Sequence, residues 1–233
     1  MKMKTLIFCT GYSKNLEEWE MRYGRWINAV ESGNLNVDTI LIPDDGSKEL
    51  PDWEGVTILK EDLPDQEPDS RGIIYSFPDN LGRKDVYVTP GWHRSFMFAM
   101  TYAQKYGYEK VIHLESDAFI ISPRMEDYIN EISNGWETFW CPKWRLPETS
   151  IQVIAGNSLN DYLELSLIPY ETFSGKPPDP NPSQGESWLR FTHIHKEFKG
   201  DRYGENGANS IIPEDADYAC QILPHTFCWW LEK

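Results

Sequence analysis

The sequence predicts an α/β fold in which a doubly wound, mixed but mostly parallel sheet carries helices on both faces. Three observations predict it. Short apolar runs such as Leu6-Ile7-Phe8-Cys9 are continuous rather than alternating, the pattern of strands buried on both faces. Stretches with apolar residues three or four apart fall between those runs, so strand and helix alternate along the chain. The strand-like run around Val111-Ile112 ends in carboxylates, at the edge where open parallel sheets bind ligands.

The elements follow in order. Thr5 to Tyr12 is an apolar strand closing on a Gly turn. Leu16 to Val30 is a helix, with Trp19, Tyr23, Trp26, Ile27 and Val30 at helical spacing. Val37 to Ile42 is a second strand, running into Pro43-Asp44-Asp45-Gly46-Ser47, and Val56 to Leu59 is a third. Glu61 to Arg83 is rich in Pro, Asp and Gly and reads as a long surface excursion. Pro90 and Gly91 introduce a helix over Trp92 to Tyr106, and Lys110 to Asp117 is the next strand. A helix near Met125 to Ile132 and strands at Thr138 to Cys141 and Ile151 to Ala155 complete the sheet. Ser174 to Gly185, with five prolines, is a loop, and Glu186 to Phe198 reads as a helix that includes His193 and His195. Asn157 to Tyr170 gives no assignable pattern, and the tail from Ile211 has no clear periodicity.

Bulk composition narrows the function. Of 233 residues 40% are apolar and 14% aromatic, enough for a packed core and against disorder. Thirty-seven acidic residues face 22 basic ones, a net charge of −15 that disfavours nucleic acid and anionic membrane surfaces. No run reaches the roughly 20 apolar residues of a membrane span, and no secretory signal is visible. Cys9, Cys141, Cys220 and Cys228 lack CxxC spacing and read as reduced core thiols of a cytoplasmic protein. Ten tryptophans suit sugar binding, though they also fill cores.

The sharpest chemical feature is Glu115-Ser116-Asp117. Alternate residues of an extended segment share a face, so the two carboxylates point the same way. Close together they repel unless a hard cation sits beside them, and oxygen ligands suit Mn²⁺ or Mg²⁺. The alternative is a structural pair: Asp117 capping the next turn and Glu115 in a surface ion pair.

Four segments in order carry a resemblance: Ile42-Pro43-Asp44-Asp45-Gly46-Ser47, Gly91-Trp92-His93-Arg94-Ser95, Glu115-Ser116-Asp117 and Gly185-Glu186-Ser187-Trp188. The set resembles the family 2 glycosyltransferases and other GT-A fold enzymes, with Glu replacing the first Asp of a DxD motif and Ser187 replacing an Asp after the Glu. The resemblance implies one GT-A-like domain over residues 1–233, with 1–123 the nucleotide-sugar-binding half and 124–233 the acceptor-binding half. It implies a hexosyltransferase-like enzyme that takes a UDP- or GDP-sugar and a glycan or other hydroxyl acceptor, with inverting transfer and Mn²⁺ or Mg²⁺ as cofactor.

Roles carry over residue by residue. Thr10, Gly11 and Tyr12 lie where base and ribose would rest. Asp44 or Asp45 could accept from base or ribose, or could simply close an Asx turn on Gly46. Arg94, in the first turn of its helix, contacts the diphosphate or serves as a surface ion-pair residue. Asp117 is the better metal ligand, Glu115 a nucleotide or supporting contact, and His225 resembles a late metal-binding histidine. Glu186 is the candidate general base. The rival is the cluster Glu214, Asp215 and Asp217, which also reads as a solvated acidic turn. Competing readings are a sugar nucleotidyltransferase and a non-catalytic carbohydrate- or nucleotide-binding protein on the same fold. Thr10-Gly11-Tyr12-Ser13-Lys14-Asn15 has one Gly and no Arg, which counts against the nucleotidyltransferase.

Overall fold

The computed structural model describes residues 2–84, 88–168, 189–204, 211–226 and 228–232. Its centre is β1 (Thr5–Phe8), whose four residues are all buried. Such a strand needs an apolar layer on each face, and its alternating side chains supply both. Ile7 and Cys9 enter one core, Leu6 and Phe8 the other. The same division runs through the neighbouring β5 (Lys110–Leu114), with Ile112 and Leu114 on the first side and Val111 on the second.

Helices cover both faces. The first core is closed by Trp19, Tyr23, Trp26 and Val30, together with Met125 and Ile129 of α4 (Pro123–Glu131). The stretch that supplies the first four is α1 (Leu16–Glu18), a π-helical turn (Trp19–Gly24) and α2 (Arg25–Ser32). Asn15 caps its start by accepting from the Glu18 N–H at 2.9 Å. Ser122 caps α4 in the same way and Pro123 occupies its first position. The second core is closed by Phe96, Met100 and Ala103 of α3 (Pro90–Tyr106) and by Tyr162 and Leu165 of α5 (Ser158–Ser166). Gly107, at a left-handed φ of 70°, ends α3. Full burial of each large apolar side chain is worth about 1.5–3 kcal/mol. Exposed ion pairs contribute about 0–1 kcal/mol, so the two apolar layers hold the sheet.

The sheet is mixed and mostly parallel. Completing it are β2 (Thr39–Asp44), β3 (Val56–Leu59), β4 (Gly72–Ser76), β7 (Gly135–Cys141), β8 (Leu146–Ala155) and β9 (His193–His195). Its order is β3-β4-β2-β1-β5-β8-β7-β9; β5–β8 and β7–β8 are antiparallel and the other pairs parallel. A second, three-stranded sheet joins β10 (Gly200–Asp201), β11 (Tyr218–Ala219) and β6 (Phe119–Ile120). Phe119, Ile212, Ala219, Ile222 and Cys228 form its own small core.

The structure departs from the sequence reading in three places. The Glu61-to-Arg83 excursion contains β4, which separates β3 from β2 and pairs with β2 from Ile40 to Asp44. The excursion is also tied down, because the Glu67 carboxylate accepts from Lys4, Tyr102 and Tyr108. The unassigned stretch after Asn157 is α5. The helix expected over Glu186 to Phe198 is absent where it is described: residues 189–192 are irregular and His193–His195 is a strand paired with Glu137 to Phe139. His195 is therefore no ordinary helix residue. It is 3% exposed, with Nε2 2.6 Å from Glu137 Oε2 and Nδ1 2.8 Å from Glu197 Oε1. In a strand His193 shares its face, and the two rings lie 4.2 Å apart. All four cysteines are buried and free.

Candidate active site

Strand β1 has β2 on one side and β5 on the other, so connections leave it in opposite directions. The crevice beyond the carboxyl ends of β1 and β5 is a topological switch point, where open α/β sheets bind ligands. Thr10, Gly11 and Tyr12 follow β1 there, and Glu115, Ser116 and Asp117 follow β5.

Glu115 is closed in by donors. Thr10 Oγ1 lies 2.9 Å from its Oε1, the Trp92 indole Nε1 donates to Oε1 at 2.7 Å, and His113 Nε2 is 2.9 Å from the same oxygen. Burial pushes its carboxyl up, but His113, the Trp92 hydrogen bond and the Arg22 charge outweigh burial and hold it below the usual range. Glu115 thus stays ionised and organises the crevice floor; it is not a surface ion pair.

Asp117 differs. Its side chain is 26% exposed, and desolvation is the largest cause lifting its pKa to about 6. Arg22 opposes that rise, while Glu115 and Glu148 add to it. Arg22 comes from the π-helical turn: its Nε donates to the Ser116 hydroxyl at 2.6 Å and its Nη2 lies 3.8 Å from Asp117 Oδ2. Such turns often mark functional sites. Among the described residues no three His, Cys, Asp or Glu side chains converge to hold a metal ion, so a ready-made protein cage is absent there. A partly open carboxylate does fit a hard cation that draws its remaining ligands from substrate phosphates.

The Asp44–Asp45 turn spends its carboxylates on itself. Asp44 accepts from the Ser47 N–H at 2.9 Å and the Ser76 hydroxyl at 2.8 Å; Asp45 accepts from the Gly82 N–H at 2.8 Å, from Asn80 and from Arg94. The Asx-turn reading describes Asp44. Gly46, at φ +77°, completes the turn where a Cβ would strike the Asp79 backbone. Helix α3 begins at Pro90, so Arg94 lies one turn in rather than in the first turn. Its guanidinium bonds Asp45 and Asp79 and lies 4.1 Å from the Phe77 ring centroid. Gly91 lets α3 approach this closely, since a Cβ there would overlap Asp45 Oδ2. Gly11 bridges to Asp44, and the Tyr12 N–H donates to the Tyr23 hydroxyl at 2.8 Å.

His225 is exposed on a turn that Arg25 fastens by donating to the Ile222 and Thr226 carbonyls. The same loop reaches the crevice, because the Ile222 N–H donates to the Asp117 carbonyl at 2.9 Å. Glu186 lies outside the described residues. Of the rival acidic cluster, Asp217 is structural: it accepts from Ser122, Arg124 and the Lys199 N–H. Asp215 pairs with Lys199, and Glu214 is exposed. Sequence reading missed Arg22, Trp92 and His113. Arg22 left no signal, since a π-helical turn looks like any helical turn in sequence, whereas His113 was visible two residues before Glu115 in the same strand.

No protein-family model matches the sequence, and no curated protein matches it. Solved structures do. Two glycosyltransferases are among those this chain is similar to. One is a glycosyltransferase involved in the glycosylation of the major capsid of PBCV-1: 11% identity, TM-score 0.49, 94% of this chain and 92% of that chain covered. The other is the apo form of the glycosyltransferase GlyE of Streptococcus pneumoniae TIGR4, at 10% identity and TM-score 0.46, covering 84% of this chain but 46% of that one. Likeness at this level says nothing of substrate or chemistry, which rest on the residues above.

Proposed function

We propose that this chain is a glycosyltransferase that moves a sugar from a nucleotide-diphosphate donor, a UDP- or GDP-sugar, to a hydroxyl of a glycan or other acceptor. The observation that carries the reading is Asp117, a partly open carboxylate at the switch point, set beside Arg22 and above a Glu115 closed in by protein donors. An acidic protein that holds a diphosphate needs local positive charge, and Arg22 supplies it beside Ser116 and Asp117, with Arg94 on the neighbouring Asp45 turn as the proposed diphosphate contact. Thr10, Gly11 and Tyr12 shape the side for base and ribose, and Asp44 and Asp45 keep the neighbouring turn rigid. Mn²⁺ or Mg²⁺ would be held by Asp117, with His225 on the adjoining loop as a second donor. When bound, such a cation offsets charge on the departing diphosphate. Glu186, from its place in the sequence, is the proposed base that takes the proton of the acceptor hydroxyl in an inverting displacement.

The test is thermal stabilisation by UDP, GDP, CMP and dTDP, each with and without Mn²⁺, followed by assay of nucleoside diphosphate release with acceptors present. A nucleotide at about 100 times its dissociation constant should add roughly 2.7 kcal/mol of stability. One nucleotide should act, and more strongly with Mn²⁺. Absence of any shift would overturn the reading. Binding without turnover would favour a non-catalytic binding protein, and pyrophosphate release from a nucleoside triphosphate and a sugar phosphate would favour a nucleotidyltransferase.

A further inference from the structure

We propose that the groove beside β10 is a subsite for an anionic saccharide, on the acceptor side of the transfer; the word acceptor rests on the function proposed above, the binding itself does not. The groove encloses about 440 Å³, within the range of small-ligand sites. Its walls carry Lys143, Lys196, Lys199 and Arg202 against Asp201 and Asp215, the reverse of a chain with 37 acidic and 22 basic residues.

Among the described residues, the internal pairings leave the Lys143 and Lys196 ammonium groups and the Asp201 carboxylate outside ion pairs, an excess of one positive charge. Arg202 is committed to the buried Glu148, at 2.8 Å from Nε, and Lys199 to Asp215. Asp201 accepts from the Lys143 and Arg202 backbone N–H groups, each at 2.8 Å. The Lys143 and Lys196 ammonium groups lie instead over indole rings, 5.7 Å from the Trp144 centroid and 4.9 Å from that of Trp140. A strongly negative protein repels anions except where such charges focus a positive field. Phe198 and Tyr203 line the same groove and Ile211, 90% exposed, stands in its wall. Phe198 is buried at 5% exposure, so the Tyr203 ring and Ile211 supply the apolar wall beside the cationic rim.

A hydrogen-bond chain ties the groove to the crevice. Arg202 holds Glu148, Glu148 accepts from the Ser150 N–H and hydroxyl, and the Ser150 carbonyl accepts from the Glu115 N–H at 2.9 Å.

Calorimetric titration of the nucleotide-free protein with tetragalacturonate, maltotetraose and inorganic phosphate tests this. Tetragalacturonate should bind, and the Lys143→Gln/Lys196→Gln variant should bind it about tenfold more weakly, the size two exposed charge contacts support. Affinity should fall as salt rises. Equal binding of maltotetraose, equal binding by the variant, or full competition by phosphate at matched concentration would each overturn the proposal. Both lysines are exposed, so the variant should keep the wild-type melting temperature; where it does not, Lys143→Arg/Lys196→Arg must retain binding. Saccharide binding without any nucleotide response would leave the groove standing and remove glycosyl transfer; the reverse result would do the opposite.

Discussion

Thr10 Oγ1 lies 2.9 Å from Glu115 Oε1, joining residues 105 apart in sequence across the ends of β1 and β5. That bond fixes the two lips of the switch point relative to each other. It also explains the unequal state of the two carboxylates: Glu115 has its charge absorbed by protein donors, while Asp117 keeps an open side.

Glu115→Ala should lower stability by about 2–4 kcal/mol, because it strips a partner from Thr10, Trp92 and His113 at once. Urea denaturation measures this. An unchanged midpoint would mean that the three donors find other partners and that Glu115 is not the crevice floor.

Asp117→Asn should fold at least as stably as the wild type at pH 7, since burial disfavours the ionised carboxyl that asparagine replaces. Release of nucleoside diphosphate should fall at least about a hundredfold, the loss expected when several kcal/mol of leaving-group stabilisation disappears. Wild-type turnover in this variant would remove Asp117 from the site.

Glu148 governs part of the acid sensitivity. Burial pushes its carboxyl up, but the Arg202 charge and hydrogen bonds, the Cys141 thiol and the Ser150 N–H hold it below the usual range. The folded protein therefore binds fewer protons here than the unfolded chain. The contribution to stability is complete above the unfolded value of about 4.3 and is lost as pH falls through the lower folded value. Glu148→Gln should cost about 3 kcal/mol at pH 7, as breaking a buried pair does. Its denaturation midpoint should also change less steeply below pH 4 than that of the wild type. Parallel curves for the two proteins would refute the assignment.

Gly91→Ala opposes two effects. Alanine in a helix gains about 1 kcal/mol over glycine, yet its Cβ would overlap the Asp45 carboxylate that holds Arg94, Asn80 and the Gly82 N–H. The overlap should win and destabilise the protein by about 1–3 kcal/mol. A raised melting temperature would show that the turn yields at little cost.

The sequence by itself determined the layers. Continuous apolar runs at Leu6 to Cys9 and at Val111-Ile112 need cover on both faces, and the helical spacing of Trp19, Tyr23, Trp26 and Val30 supplies one cover, because burial depends on local periodicity. It also placed Glu115 and Asp117 just past a strand end, though β5 stops at Leu114 and Ser116-Asp117 is a turn rather than the extended segment expected. Tertiary structure alone decided the rest. Gly72–Ser76 is too short and too surrounded by breakers to announce a strand, and becomes one by pairing with β2. His193–His195 has helical neighbours in pattern, yet is a strand because β7 offers an edge. The unlike fates of Glu115 and Asp117 were equally hidden. They depend on Thr10, Arg22 and Trp92, which the fold delivers from three distant segments, and charge balance at a site is a sum over neighbours in space rather than in sequence.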